Sequence, residues 1–119
     1  MLSQAGAFFF LLLFLDFLWI SVTKSMHQAQ VSAVQHAPLE FDWVAGILFY
    51  VVAAVAFHVF IKNSRTPIWH AFLLGLCMYA TFDLTNKAIF KDFQWSYALS
   101  DMLWGASAFA FATYFITSF

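Results

Sequence analysis

Four apolar stretches, separated by polar breaks, run along this 119-residue chain. Each approaches the roughly 20 residues that a helix needs to cross the hydrocarbon core of a bilayer. The first runs from Ala5 to Thr23 and is interrupted only by Asp16. The second is Trp43 to Ile61, with His58 near its end. The third is Trp69 to about Phe90, and the fourth is Tyr97 to about Ile116, with Asp101 near its start. The expected architecture is an all-α, integral-membrane bundle of four transmembrane helices with antiparallel up-down neighbours, forming one domain over residues 1–119. Lys62 to Pro67 and Lys91 to Ser96 read as short turns, the first stopped by proline. The one long connection is Lys24 to Asp42. Its beginning, KSMHQAQVSAVQH, contains neither Gly nor Pro, so the first helix is expected to continue beyond the membrane until Pro38 ends it.

Composition agrees with lipid as the solvent. The chain is 64% hydrophobic and 9% charged, against about 45–50% and about 25% in soluble domains. Mean hydropathy is +0.82. A net charge of −1 argues against nucleic acid as a partner. The single Cys77 can form no internal disulfide. The N-terminal run lacks a basic leader and an A-x-A-like cleavage site, so it reads as a retained first span. With both termini on side A, Lys62 and Arg65 fall on side A and Lys24, Lys87 and Lys91 on side B. That balance sets orientation only weakly. The concentration of charge in the Lys62–Arg65 turn tips it towards cytoplasmic termini, and a bacterial inner (plasma) membrane is the expected location.

The polar residues inside the spans carry the functional information. At about 1.5 Å rise per residue, Asp16 and Asp83 lie roughly 10 Å in from side B and Asp101 about 6 Å in. Three carboxylates on three helices therefore converge in one half of the bilayer, the half that also holds the long connection. Helical phase agrees. Asp101, Gly105, Ala108 and Ala112 share one face. So do Gly75, Tyr79, Asp83 and Asn86 in the third span, and Gly46, Tyr50 and Ala53 in the second. Small residues let membrane helices approach closely, so these faces are expected to point inward. A charge at mid-bilayer costs about 2.5–3.5 kcal/mol on insertion scales, so each carboxyl needs a partner or a proton. Lys87, four residues after Asp83, is a candidate ion-pair partner. Asn86 and the indoles of Trp19 and Trp104 are candidate donors, and the two indoles are candidate pocket walls. Trp43, Trp69 and Trp95 fall at span ends and read as interfacial anchors.

Catalytic and cofactor signals are sparse. His27, His36, Glu40 and Asp42 lie on the long connection without a metal-ligand spacing, so no metal site is expected. No phosphate-binding loop or nucleophile elbow occurs, and no cofactor is expected.

The stretch YATFDLTN (Tyr79–Asn86), followed by AIFK (Ala88–Lys91), resembles the signature of the domain-of-unknown-function family twenty-one seventy-seven. The signature is usually read as YATYDLTN. DMLWG at Asp101–Gly105 is similar to that family's closing D-x-x-W-G, DFLWISVTKSM at Asp16–Met26 to its opening D-x-x-W-L, and GILFY at Gly46–Tyr50 to its apolar segment. The resemblance implies a compact four-span membrane protein and supplies no activity. It maps Asp16, Trp19, Asp83, Asn86, Asp101 and Trp104 onto motif positions. Lys87 and Phe82 depart from the pattern.

These readings converge on a proton-, cation- or small-solute-handling membrane protein, working as a homo-oligomer because four helices are few for a private pathway. Its site would comprise Asp16, Trp19, Tyr79, Asp83, Asn86, Asp101 and Trp104. The alternatives are a non-catalytic subunit of a larger membrane complex and, less favoured, an enzyme acting on a lipid or quinone.

Overall fold

The computed structural model describes residues 2–61 and 65–118. Among them run five helices: α1 (Leu2–Val22), α2 (Lys24–Gln35), α3 (Trp43–Phe60), α4 (Ile68–Ile89) and α5 (Trp95–Thr117). Three segments are long and apolar enough to cross a membrane: Ser3–Val22, Trp43–Phe60 and Ile68–Ile89. At 23 residues α5 has the length but is not among them. Asp101 together with the serines, tyrosines and tryptophans of α5 lowers its hydropathy, while Gly105 and a run of alanines fit its packed face to the interior. The first three residues of the turn expected at Lys62 to Pro67 lie outside the described residues.

Local chemistry sets the helix boundaries. Asp42 caps α3 by accepting a hydrogen bond from the Ala45 amide at 3.1 Å. α2 ends on His36 in the left-handed conformation (φ 58°), and Pro38 follows two residues later. The junction between α1 and α2 corrects the expectation of one continuous helix. The backbone departs from helical geometry at Thr23 (φ −111°, ψ 29°). Its hydroxyl and its amide both donate to the Trp19 carbonyl, at 2.6 and 2.9 Å, so the ladder bond is kept where the backbone bends. Beyond the break, α2 lies against the α4–α5 connection. Gln30 donates to the Asp92 carbonyl at 3.0 Å and accepts from the Gln94 amide at 2.9 Å. Gln94 is the residue that leads into α5, so α2 supplies a cap which the α5 N-terminus lacks locally.

α4 and α5 form the tightest pair, α1 packs on both α3 and α5, and α3 and α4 hardly approach each other backbone to backbone. The bundle therefore has one unsealed seam, between α3 and α4. Close approach of α4 and α5 depends on two glycines. A Cβ on Gly75 would lie 2.5 Å from the Gly105 carbonyl oxygen and 2.7 Å from Phe109 Cβ. A Cβ on Gly105 would collide with the base of the Tyr79 ring. At the end that carries the termini, Phe8 stacks on Phe57 (4.5 Å between centroids) and meets Phe109 edge-on (5.0 Å). Outward faces carry exposed aromatics, among them Phe10, Phe14 and Phe17 along one stripe of α1. Trp43, Trp69 and Trp95 sit exposed in the first turns of α3, α4 and α5. The long axis of 45 Å exceeds a hydrocarbon core of about 30 Å, which leaves room for α2 and the connections outside it.

Overpacking the α4–α5 contact should be destabilising. Gly75→Val and Gly105→Val are expected to lower stability in detergent by roughly 1–3 kcal/mol. Gly6, where a Cβ meets nothing within 4 Å, should accept alanine without loss. Apparent melting temperatures of the three variants check this.

Candidate functional site

Asp16 is 6% exposed and takes hydrogen bonds from every other long helix. Its Oδ2 accepts from the Tyr50 hydroxyl of α3 at 2.7 Å and the Tyr79 hydroxyl of α4 at 2.8 Å. Its Oδ1 accepts from the Trp104 indole of α5 at 2.7 Å. Three donors on one carboxylate are the charge-assisted arrangement in which a buried negative charge is tolerated. Tyr79 reaches Asp16 because Gly105 leaves space for its ring against α5. The small-residue face and the polar centre are thus one construction.

Asp83 is placed differently. It is wholly buried, and neither of its oxygens has a hydrogen-bond donor. Asp101, 8% exposed, is its neighbouring carboxyl. The charge of Asp101 also acts on Asp16, so the three carboxyls form one cluster with Asp101 in the middle. The expected ion pair between Asp83 and Lys87 does not form. The Lys87 ammonium instead lies over the Trp95 ring, 5.8 Å from its centroid. Near the end of α4 the flexible lysine stem reaches outward, and an indole face at the boundary is a better partner than a dry interior. Asn86 is half-buried, and no hydrogen bond from its side-chain amide to the cluster is found among the described residues.

Trp19 stacks in parallel on Trp104 with 5.0 Å between centroids and lines a cavity of about 310 Å³, whereas Trp104, expected as a second wall, lies behind Trp19 and does not line it. Asp16, Asp101, His27, Tyr50, Tyr79 and Tyr97 supply its polar lining, and Ile20, Phe49, Met78 and Phe82 the apolar lining. Asp83 sits behind this lining, reached through Asp101.

His27 was not singled out by its sequence context. It is 8% exposed, its Nδ1 pairs with the Tyr97 hydroxyl at 2.8 Å, and its ring meets Trp19 edge-on. The Nε2 of His27 and the Nε1 of Trp19 are both buried without a partner. Burial pushes the His27 imidazole below its usual range, against the opposing pull of the Asp101 and Asp16 carboxylates. The signal that could have found His27 is its position with Gln30 on one face of a 12-residue polar helix, three residues apart.

Residues 2–117 match the family described as Predicted membrane protein (DUF2177). The chain belongs to this family. No curated protein and no solved structure shows a significant match to it. DUF2177 membership establishes a predicted membrane protein and assigns no reaction, so the chemistry of this DUF2177 chain rests on its own residues.

Two outcomes follow from the geometry. Tyr50→Phe or Tyr79→Phe should each cost about 0.5–1.5 kcal/mol, whereas Asp16→Ala, which strands three buried donors, should cost about 3–5 kcal/mol. In a Tyr50→Phe/Tyr79→Phe background the Asp16→Ala loss should shrink, which a double-mutant cycle on denaturation midpoints measures. For His27 the folded value lies below the unfolded one, so the unfolded state binds more protons as pH falls. Docking of α2 should therefore weaken below about pH 6.5. Hydrogen exchange of the α2 amides between pH 8 and pH 5 reads this, and His27→Gln should flatten the dependence.

Proposed function

We propose that this chain is a four-span membrane protein that binds a small solute in the cavity beside α2 and moves a proton through Asp83 and Asp101 as it does so. α5 is the fourth span in this reading. It is as long as α4 and lies antiparallel along it, so an α4 that crosses the bilayer carries α5 with it. The observation that carries the proposal is the contrast between the carboxyls. Asp16 has three donors, whereas Asp83 is fully buried with none. A buried charge without a partner is expensive, so the Asp83–Asp101 pair holds a shared proton or a cation. Asp101 faces the cavity and links the pair to whatever occupies it. Asp16, held by three donors from three helices, fixes geometry. Both termini are cytoplasmic in this arrangement, and the working unit is a homo-oligomer or part of a larger complex, because four helices are few for a private pathway.

Reconstitution into liposomes containing a trapped pH dye tests the reading. The wild-type chain should dissipate an imposed pH gradient faster than empty liposomes. Asp83→Asn and Asp101→Asn should each lower that rate at least tenfold, with unchanged melting temperatures. Wild-type rates equal to empty liposomes, or an Asp83→Asn rate equal to wild type, would overturn it.

A further inference from the structure

The cavity beside α2 lies on the unsealed seam between α3 and α4. A second cavity, of about 370 Å³, lies on the same seam nearer the termini and is lined by Phe60, Ile61, Trp69, Leu73, Leu74 and Cys77, with His70 at its margin. They lie one after the other along α4, where Leu74 lines one and Met78, one turn on, the other. One is strongly apolar. The other ends in hydroxyls, an imidazole, an indole and carboxyls. A molecule filling both would have an apolar chain and a small polar head.

The head chemistry can be read from the unfilled positions. Trp19 Nε1 can only donate, and it has no acceptor. His27 Nε2 is likewise unpartnered on a ring that is more than nine-tenths buried and lines the cavity. When Tyr97 donates to Nδ1, Nε2 carries the proton and becomes a second donor. Both positions then call for an oxygen acceptor. The lining contains two carboxyls, Asp16 and Asp101, and neither lysine nor arginine. A phosphate or carboxylate head would meet repulsion there with no compensating cation. A hydroxyl head satisfies the site twice, by accepting from the indole or imidazole and donating to Asp101. A carbonyl satisfies the donors alone.

We propose that the ligand of this site is a single-chain amphiphile with an uncharged hydroxyl or carbonyl head, admitted from the lipid through the α3–α4 seam. The inference rests on the solute-binding reading above and names the class of that solute. The head sits between Trp19, His27 and Asp101. The chain runs along α4 past Met78 and Cys77 towards Leu73 and Phe60.

Photolabelling in lipid nanodiscs with a diazirine-bearing sixteen-carbon alcohol tests it, with labelled sites mapped by mass spectrometry. Labelling should concentrate between Leu73 and Phe82, and excess unlabelled hexadecanol should abolish it. Excess palmitate at pH 8 should compete at least tenfold less well. Trp19→Phe, which keeps a ring to stack on Trp104, should weaken labelling about tenfold while melting as wild type. His27→Phe should weaken labelling likewise, at the cost of the Tyr97 bond, and serves as the second variant if Trp19→Phe does not fold. Labelling spread over the outward Phe10, Phe14 and Phe17 stripe, or equal competition by palmitate, would overturn the proposal. Proton flux intact with labelling lost sinks the ligand class alone. Competed labelling with no proton flux sinks the proton reading and leaves the amphiphile site standing.

Discussion

The carboxylate of Asp16 is the point on which the four long helices depend. A charged group inside so apolar a bundle has no water to fall back on, and neither have its donors. Tyr50, Tyr79 and Trp104 each come from a different helix and end on the same two oxygens. Any relative sliding of α1, α3, α4 or α5 breaks at least one of these bonds, so the carboxylate sets register as well as proximity. The construction also explains the glycines. Tyr79 occupies the space that a Cβ on Gly105 would need, and Gly75 lets the α5 backbone come close on the next turn. Small residues here make room for the groups that serve one charge, and dense helix packing is the means.

Residue type alone does not separate Asp16 from Asp83. Both are buried aspartates at similar depth. What separates them is the supply of donors. The face of α4 that carries Asp83 looks at α5, where the facing polar group is another carboxyl, Asp101. Lys87 is four residues away on the same helix yet spends its charge on Trp95. The chain thus satisfies one acidic group completely and leaves another unsatisfied against its neighbour. A group meant only to hold the bundle would gain from donors like those of Asp16. The lack of them at Asp83 is the property that a proton-exchanging pair requires.

Much of this was legible in the sequence. Helices α1, α3, α4 and α5 lie within a few residues of the apolar stretches, because lipid-facing surfaces leave a strong hydropathy signal. The inward faces were legible from phase: Tyr50, Ala53, Gly75, Tyr79, Asp83, Asp101, Gly105, Ala108 and Ala112 are all buried. Two things were hidden. Which donor serves which carboxyl depends on side-chain reach across helices, so Tyr50 was credited only with a place on a small-residue face. The docking of α2 was hidden because a polar 12-residue helix carries no hydropathy signal. Its inward residues, His27 and Gln30, are themselves polar, and their burial shows only once the α4–α5 connection is beside them.

The position of α2 bears on how a ligand could reach the cavity. α2 crosses the end of the bundle, pinned by Gln30 at the Asp92–Gln94 connection and by His27 at Tyr97. That is the end at which the cavity lies nearest to water. On the lateral side, α3 and α4 meet only through side chains, and the strongest of those links is indirect, through Asp16. Phe49 and Tyr79 touch edge-on beside that link, and Phe82, on the side of the cavity nearer α2, is more than half exposed. The end towards water is held by several hydrogen bonds, and the side towards lipid by one shared carboxylate and a few mobile rings. Opening the end breaks the part-buried bonds of His27 and Gln30, whereas parting α3 from α4 breaks a buried bond to Asp16.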